Sequence, residues 1–125
     1  MKKVIFGVIT AVTCLWVPAA NAATPCEILE AGNKLYSTNS WDKAFVTYST
    51  VEQIDRIGKD SCTGGIYATI GNMHKYKADA AFPKDTKLAA EQYRSAAKYF
   101  AAFAYAVACN KGDCKLSEAF WKEQK

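Results

Sequence analysis

Between Ile28 and Val51 the chain carries two apolar patterns at helical spacing, separated by the polar break Ser37-Thr38-Asn39-Ser40. Small residues (Ala31, Gly32, Ala44) fall where two helices would have to touch. Large ones (Leu35, Trp41, Tyr48) fall where they would fill the space beside that contact. A stretch built this way folds back on itself as a tight antiparallel helical hairpin, and the remainder reads as further helices laid against it. No strand-like alternation appears anywhere. The expected fold class is therefore all-α: antiparallel hairpins of four long helices, a short C-terminal helix and two disulfides.

The first residues read as an export leader and not as part of that fold. Met1-Lys2-Lys3 is a basic start, Val4 to Val17 is almost wholly apolar, and Ala20-Asn21-Ala22 supplies a small-x-small cleavage site. The apolar run of about 14 residues is short of the roughly 20 that span a bilayer as a helix. Cys14 precedes the cleavage site, which argues against a lipid anchor. The expected organisation is a signal peptide over 1–22 and one helical domain over 23–125, placed in the bacterial periplasm or secreted. Cleavage removes two of the 16 basic residues, leaving 14 against 12 acids, so the mature chain is near +2. That balance is too weak, and its lysines and arginines too scattered, to argue for nucleic acid or an anionic membrane surface.

Four cysteines remain after cleavage: Cys26, Cys62, Cys109 and Cys114. In a small exported domain they imply two disulfides, with three connectivities open. The pairing favoured is Cys26–Cys62 with Cys109–Cys114. Cys26 opens the first helix and Cys62 follows the second, and in an antiparallel hairpin those ends lie side by side. Cys109 and Cys114 bracket the turn Asn110-Lys111-Gly112-Asp113. The larger loop contributes roughly 3–4 kcal/mol in the chain-entropy account. A four-cysteine zinc site is the competing reading, but paired C-x-x-C spacing is lacking.

Helix boundaries follow from start and stop signals. Thr24, Pro25 and Glu27 form an N-cap, first-turn proline and capping-box set, and helix one runs to about Tyr36. Ser40 is positioned to cap helix two, which carries Trp41, Ala44, Phe45, Tyr48, Val51 and Ile54 up to a stop at Gly58. Lys59 to Gly65 reads as a linker. Helix three spans about Ile66 to Ala81, with Gly71 inside it. Asp85 caps helix four, Thr86 to about Cys109, whose stripe is Ala89, Tyr93, Ala96, Phe100, Phe103 and Val107. Ser117 is placed to cap a last helix, Glu118 to Glu123, anchored by Phe120 and Trp121.

The two hairpins resemble tetratricopeptide and Sel1-like repeats. Gly32, Leu35, Trp41, Ala44, Tyr48 and Val51 match the tetratricopeptide pattern in type and spacing. Ile70-Gly71, Lys84-Asp85, Ala89, Tyr93 and Ala96-Ala97 are similar to the Sel1-like form. The likeness covers roughly 25–97. Ala44 to Ala89 and Tyr48 to Tyr93 are each about 45 residues apart, longer than the usual period of about 34–36, and only two repeats are present. The resemblance implies a scaffold that binds another polypeptide.

Chemistry is sparse. His74, beside Lys75, is the single histidine and reads as solvent-facing; no G-x-S-x-G elbow accompanies it. Paired cysteines leave no thiolate nucleophile. Glu27 and Glu30 suit a helix start. Asp79 and Asp85 flank a turn and, with Glu91, are the acidic residues a small helical hydrolase would use. Gly64-Gly65 before a helix is a weak anion-binding signal. No catalytic residue, metal or cofactor is expected. The aromatics are the better lead: Tyr36, Tyr76, Tyr99 and Tyr105 with Ala102 lie off the main stripes and are the candidate partner-binding residues. The expected function is non-catalytic binding of a protein partner through a helical face, which leaves room for a homodimer. The alternatives are an immunity-type or inhibitor protein acting through a loop tip on a toxin or cell-wall enzyme, and the hydrolase.

Overall fold

The computed structural model describes residues 23–124 and shows no strand among them. The leader expected over 1–22 lies outside the described residues. Helix α1 (Pro25–Ser37) starts as its sequence dictates. The Glu27 amide donates to Thr24 Oγ1 at 3.2 Å, the Thr24 amide donates to Glu27 Oε1 at 2.9 Å, and Pro25 occupies the first turn. Asn39, at φ +62, turns the chain into α2 (Trp41–Ser49). Ser40 does not cap it: no α2 amide donates to its side chain, and its Oγ lies 3.5 Å from Thr38 Oγ1.

The single helix expected from Trp41 to Gly58 divides at Thr50 into α2 and the one-turn α3 (Val51–Ile54). Ser49 Oγ donates to the Phe45 carbonyl at 2.8 Å and Thr50 Oγ1 to the Thr47 carbonyl at 2.7 Å. Side-chain hydroxyls that bond backbone carbonyls in this way compete with the helical ladder. Val51 and Ile54 nevertheless keep their apolar contacts with the core.

Helix α4 (Thr63–Ala81) begins earlier than expected, so Gly64 and Gly65 form its first turn and not a linker. The segment before it is tied down by Asp55. That carboxylate accepts from the amides of Lys59 (2.9 Å) and Asp60 (2.8 Å) and from Thr63 Oγ1 (2.5 Å). Asp85 caps α5 (Thr86–Asn110) by accepting from the Leu88 amide at 3.0 Å. Helix α6 (Lys115–Glu123) has Cys114 at its N-cap position, one turn before the expected cap Ser117. Ser117 is fully buried inside that helix and donates to the Ile57 carbonyl at 2.7 Å, pinning α6 to the segment after α3.

The helices pair antiparallel. Gly32 of α1 meets Tyr48 of α2, while Tyr36 further along α1 meets Trp41 at the start of α2. Gly64 of α4 faces Phe103 and Val107 of α5, Gly71 faces Phe100, and Asp79 meets Tyr93. The core gathers Ile28, Tyr48, Val51, Ile66, Tyr67, Ile70, Met73, Ala102, Ala106 and Trp121, taken from every helix. Two disulfides, Cys26–Cys62 and Cys109–Cys114, join the ends that the hairpin argument puts together; the Cys26 and Cys62 Cα atoms are 5.1 Å apart.

Candidate functional site

Helix α5 sorts its apolar residues onto two rows, and the sorting reverses the sequence expectation. The row that faces the interior holds Ala102, Ala106 and Cys109, with Tyr99 beside them. The longer stripe is only partly covered. Its alanines, Ala89 and Ala96, are buried, but Tyr93, Phe100, Phe103 and Val107 remain between 36 and 40 % exposed. The physical cause lies on α4. Gly71 and Gly64 stand opposite Phe100, Phe103 and Val107, so the rings close in on the α4 backbone with no side chain to cover their outer faces. Residues 99–110 contain no charged side chain, so nothing ionic interrupts the open row through the last three turns of α5. Together these four residues leave roughly 300 Å² of mostly apolar surface open, the size of the largest patch on an ordinary monomer and often functional.

Two of the residues nominated for partner contact, Ala102 and Tyr99, are spent inside the fold, and a third, Tyr105, is partly covered. Ala102 has no accessible surface. Tyr99 donates its hydroxyl to Glu52 Oε2 at 2.5 Å and packs against Tyr67 and Trp121. Tyr105 lies against Phe120 of α6, with ring centroids 5.3 Å apart. Arg56 and Lys98 sit over the same internal cluster, Arg56 at 4.6 Å from the Trp121 ring and Lys98 at 5.3 Å from the Tyr99 ring. Burial pushes the Tyr67 and Tyr99 phenols well above the ordinary tyrosine range, and for both the nearby Glu52 carboxylate adds to the effect.

The other two nominated residues, Tyr36 and Tyr76, come together through a residue not nominated with them. Tyr36 stacks on Trp41 at 4.9 Å, and Trp41 meets Tyr76 at 5.9 Å. Trp41 follows the Ser40 turn and reads from sequence as a hairpin filler. Its role as the middle ring becomes visible only once α4 is laid against α2.

His74 is not solvent-facing. Its ring is half-buried between Phe45 and Tyr99, and Nδ1 donates to Gln92 Oε1 at 2.7 Å, so it serves as a bridge between α4 and α5. The acidic residues do not assemble. Asp79 is engaged by Lys75 (2.9 Å) and Tyr93 (2.5 Å), both of which hold its carboxyl below the ordinary value; Asp85 is spent as a cap; Glu91 is exposed. Among the described residues, Cys26, Asp60 and Cys62 form a group with metal-ligand proximity, but both sulfurs are committed to their disulfide. An open hollow of about 360 Å³ runs along α1, lined by Cys26, Leu29, Glu30, Asn33, Lys34 and Ser37. It presents one carboxylate, Glu30, and no second carboxylate to pair with it. No helix among the described residues is long and apolar enough to cross a membrane. No known protein-family model, curated protein or solved structure matches the chain.

Proposed function

We propose that this chain is an exported, disulfide-stapled helical module of the bacterial periplasm. In this reading it binds a protein partner through the outer face of α5 and performs no chemistry of its own. The observation that carries the reading is the half-exposed row Tyr93, Phe100, Phe103 and Val107, uninterrupted by charge over its last three turns. At about 25 cal/mol per Å², covering roughly 300 Å² of it offers up to about 7 kcal/mol before the costs of association. The leader pattern over 1–22 and the two disulfides support an oxidising compartment. The small-against-aromatic contact of Gly32 with Tyr48 supports an arrangement similar to tetratricopeptide and Sel1-like modules.

The test is affinity capture from periplasmic extract with oxidised chain 23–125, compared with the double variant Phe100→Ser, Ala104→Arg. Ala104 is exposed on the same face, so an arginine there obstructs docking without entering the core. A partner retained by the parent and weakened at least about tenfold by the variant, with helical content unchanged, is the expected result. Equal retention by both chains, or turnover of a small substrate with no partner retained, overturns the proposal.

A further inference from the structure

The Cys26–Cys62 bridge stands in a setting that the Cys109–Cys114 bridge lacks. Asp60 Oδ1 lies 3.5 Å from Cys26 Sγ, and a carboxylate oxygen of Asp60 and both sulfurs fall within 4.8 Å of one another. Among the described residues no other three cysteine, histidine or acidic side chains bring their donor atoms this close. Both sulfurs also sit at helix starts. Cys26 is the second residue of α1 and Cys62 is at the N-cap of α4, where the positive end of the helix dipole favours thiolate over thiol. Cys109 is the opposite case. It is buried in the last turn of α5, where that dipole opposes a thiolate, and among the described residues no third ligand joins it and Cys114.

The carboxylate is held in place without help from the sulfurs. Asp60 Oδ1 accepts from the Cys62 amide at 2.8 Å, and the Asp60 amide donates to Asp55 Oδ2 at 2.8 Å. Across the bridge, the capping box and the buried Ile28 fix the first turn of α1. None of these contacts uses the S–S bond, so they remain open to the chain with free thiols. Two thiolates on a tetrahedral zinc ion, each about 2.3 Å from it, stand about 3.8 Å apart. Cα atoms 5.1 Å apart reach that separation by rotation about the Cα–Cβ bonds. Cys26 is exposed and borders the hollow along α1, so the ion and a completing water ligand enter from solvent.

We propose that, in the thiol form of the chain, Cys26, Cys62 and Asp60 are the ligands of a zinc(II) site that the disulfide closes off. Two thiolates and a carboxylate suit zinc and fill three of its four positions. Binding displaces one proton from each thiol. Oxidation by a disulfide-bearing protein takes two electrons from the sulfurs, forms the Cys26–Cys62 bond and frees the ion, while the oxidant takes up two protons as a dithiol. A dithiol donor runs the exchange backwards. Every chain is made with free thiols, so the zinc form precedes the bridge, and the ion holds α1 to α4 as the bridge later does. The site shares no residue with the α5 row and does not depend on that reading.

The experiment titrates zinc(II), in competition with a chelating indicator, into chain 23–125 reduced with a phosphine and into the oxidised chain. The reduced chain is expected to bind one ion and the oxidised chain none at the same concentrations. X-ray absorption of the zinc-loaded chain should show two sulfurs at about 2.3 Å and oxygen at about 2.0–2.2 Å. Asp60→Asn keeps an acceptor for the Cys62 amide but loses the anionic ligand, and should weaken binding at least about tenfold. Cys26→Ser should abolish it. Circular dichroism on the same samples follows the fold: helix lost on reduction should return with zinc, because the ion replaces the bridge. Zinc left unbound by the reduced chain, folded or not, overturns the proposal. So does a shell of more than two sulfurs, binding by the oxidised chain as tight as by the reduced one, or an affinity unchanged in Asp60→Asn or in Cys26→Ser.

Discussion

Tyr48 lies flat against the backbone of Gly32, so that a Cβ on Gly32 would fall inside the space of its ring. The ring has nowhere to go. Tyr48 is fully buried and its hydroxyl donates to Asn33 Oδ1 at 2.6 Å. Gly32→Ala gains up to about 1 kcal/mol of helix propensity but overpacks a rigid contact, which costs about 1–3 kcal/mol or more. A net loss is expected. Gly71→Ala is the informative comparison: a Cβ there would come 2.7 Å from Phe100 Cε1, but that ring is over a third exposed and can swing outward. Thermal melts should show Gly32→Ala lowering Tm by several degrees and Gly71→Ala changing it less. Equal losses would mean that the Phe100 ring is held as firmly as Tyr48.

The two glycines also show what a sequence discloses and what it withholds. Gly32 and Tyr48 belong to one hairpin, a few turns apart in the chain, so spacing alone places them face to face. The same holds for the capping box at Thr24 and Glu27, for Asp85, and for the Cys109–Cys114 pair, each a local signal, while Cys26–Cys62 followed from the hairpin that the same spacing implies. The face of α5 was not legible in this way. Its stripe at helical period is real, but whether that stripe is covered depends on what α4 sets opposite. Gly64 and Gly71 set only backbone there, which leaves Phe100, Phe103 and Val107 half-open and moves the interior contact to Ala102 and Ala106. His74 escaped for a similar reason, since its partners Phe45, Tyr99 and Gln92 come from two other helices.

The buried phenols make stability fall in alkali. Tyr67 and Tyr99 have pKa values raised above the ordinary 10.0, first by burial and then by Glu52, which accepts a hydrogen bond from Tyr99 and lies close enough to Tyr67 to oppose a second negative charge. The unfolded chain ionises these phenols near pH 10 while the folded chain keeps them neutral. Their contribution is therefore complete below pH 10 and is lost progressively as pH rises above it. Urea titrations between pH 9 and 11.5 should show a declining midpoint, and Tyr99→Phe should flatten the decline. Absorbance at 295 nm should show these two tyrosines ionising only as the chain unfolds. Full ionisation at pH 10.5 with helical content intact would contradict the burial argument.

The disulfides differ in what they constrain. Cys26–Cys62 closes a separation of 36 residues and Cys109–Cys114 one of five. In the chain-entropy account the first contributes about 4 kcal/mol and the second about 2 kcal/mol. The double serine variant at Cys26 and Cys62 should lose roughly twice the stability of the variant at Cys109 and Cys114, measured by urea unfolding at neutral pH. Peptide mapping without reductant should recover these two pairs and no cross-linked alternative.

Asp55 holds the segment between α3 and α4 through three donors on a single carboxylate: the Lys59 amide on Oδ1, and the Asp60 amide and Thr63 hydroxyl on Oδ2. Nothing in its sequence position announces this, because its partners lie four, five and eight residues downstream in a non-repeating turn. Asp55→Asn keeps the size but turns one oxygen into an NH₂ group, setting donor against donor. Loss of charge-assisted bonds at a partly buried site costs about 2–3 kcal/mol. The Cys26–Cys62 bridge still ties the end of the turn to α1, so the damage should stay local at first. Amide exchange at Lys59 and Asp60 should accelerate far more than at Ile66 or Ile70 in the core of α4, and trypsin should cut after Lys59 in the oxidised variant before it cuts the parent there. Exchange that rises equally across α4 would show that the Asp55 carboxylate governs global stability and not the turn alone.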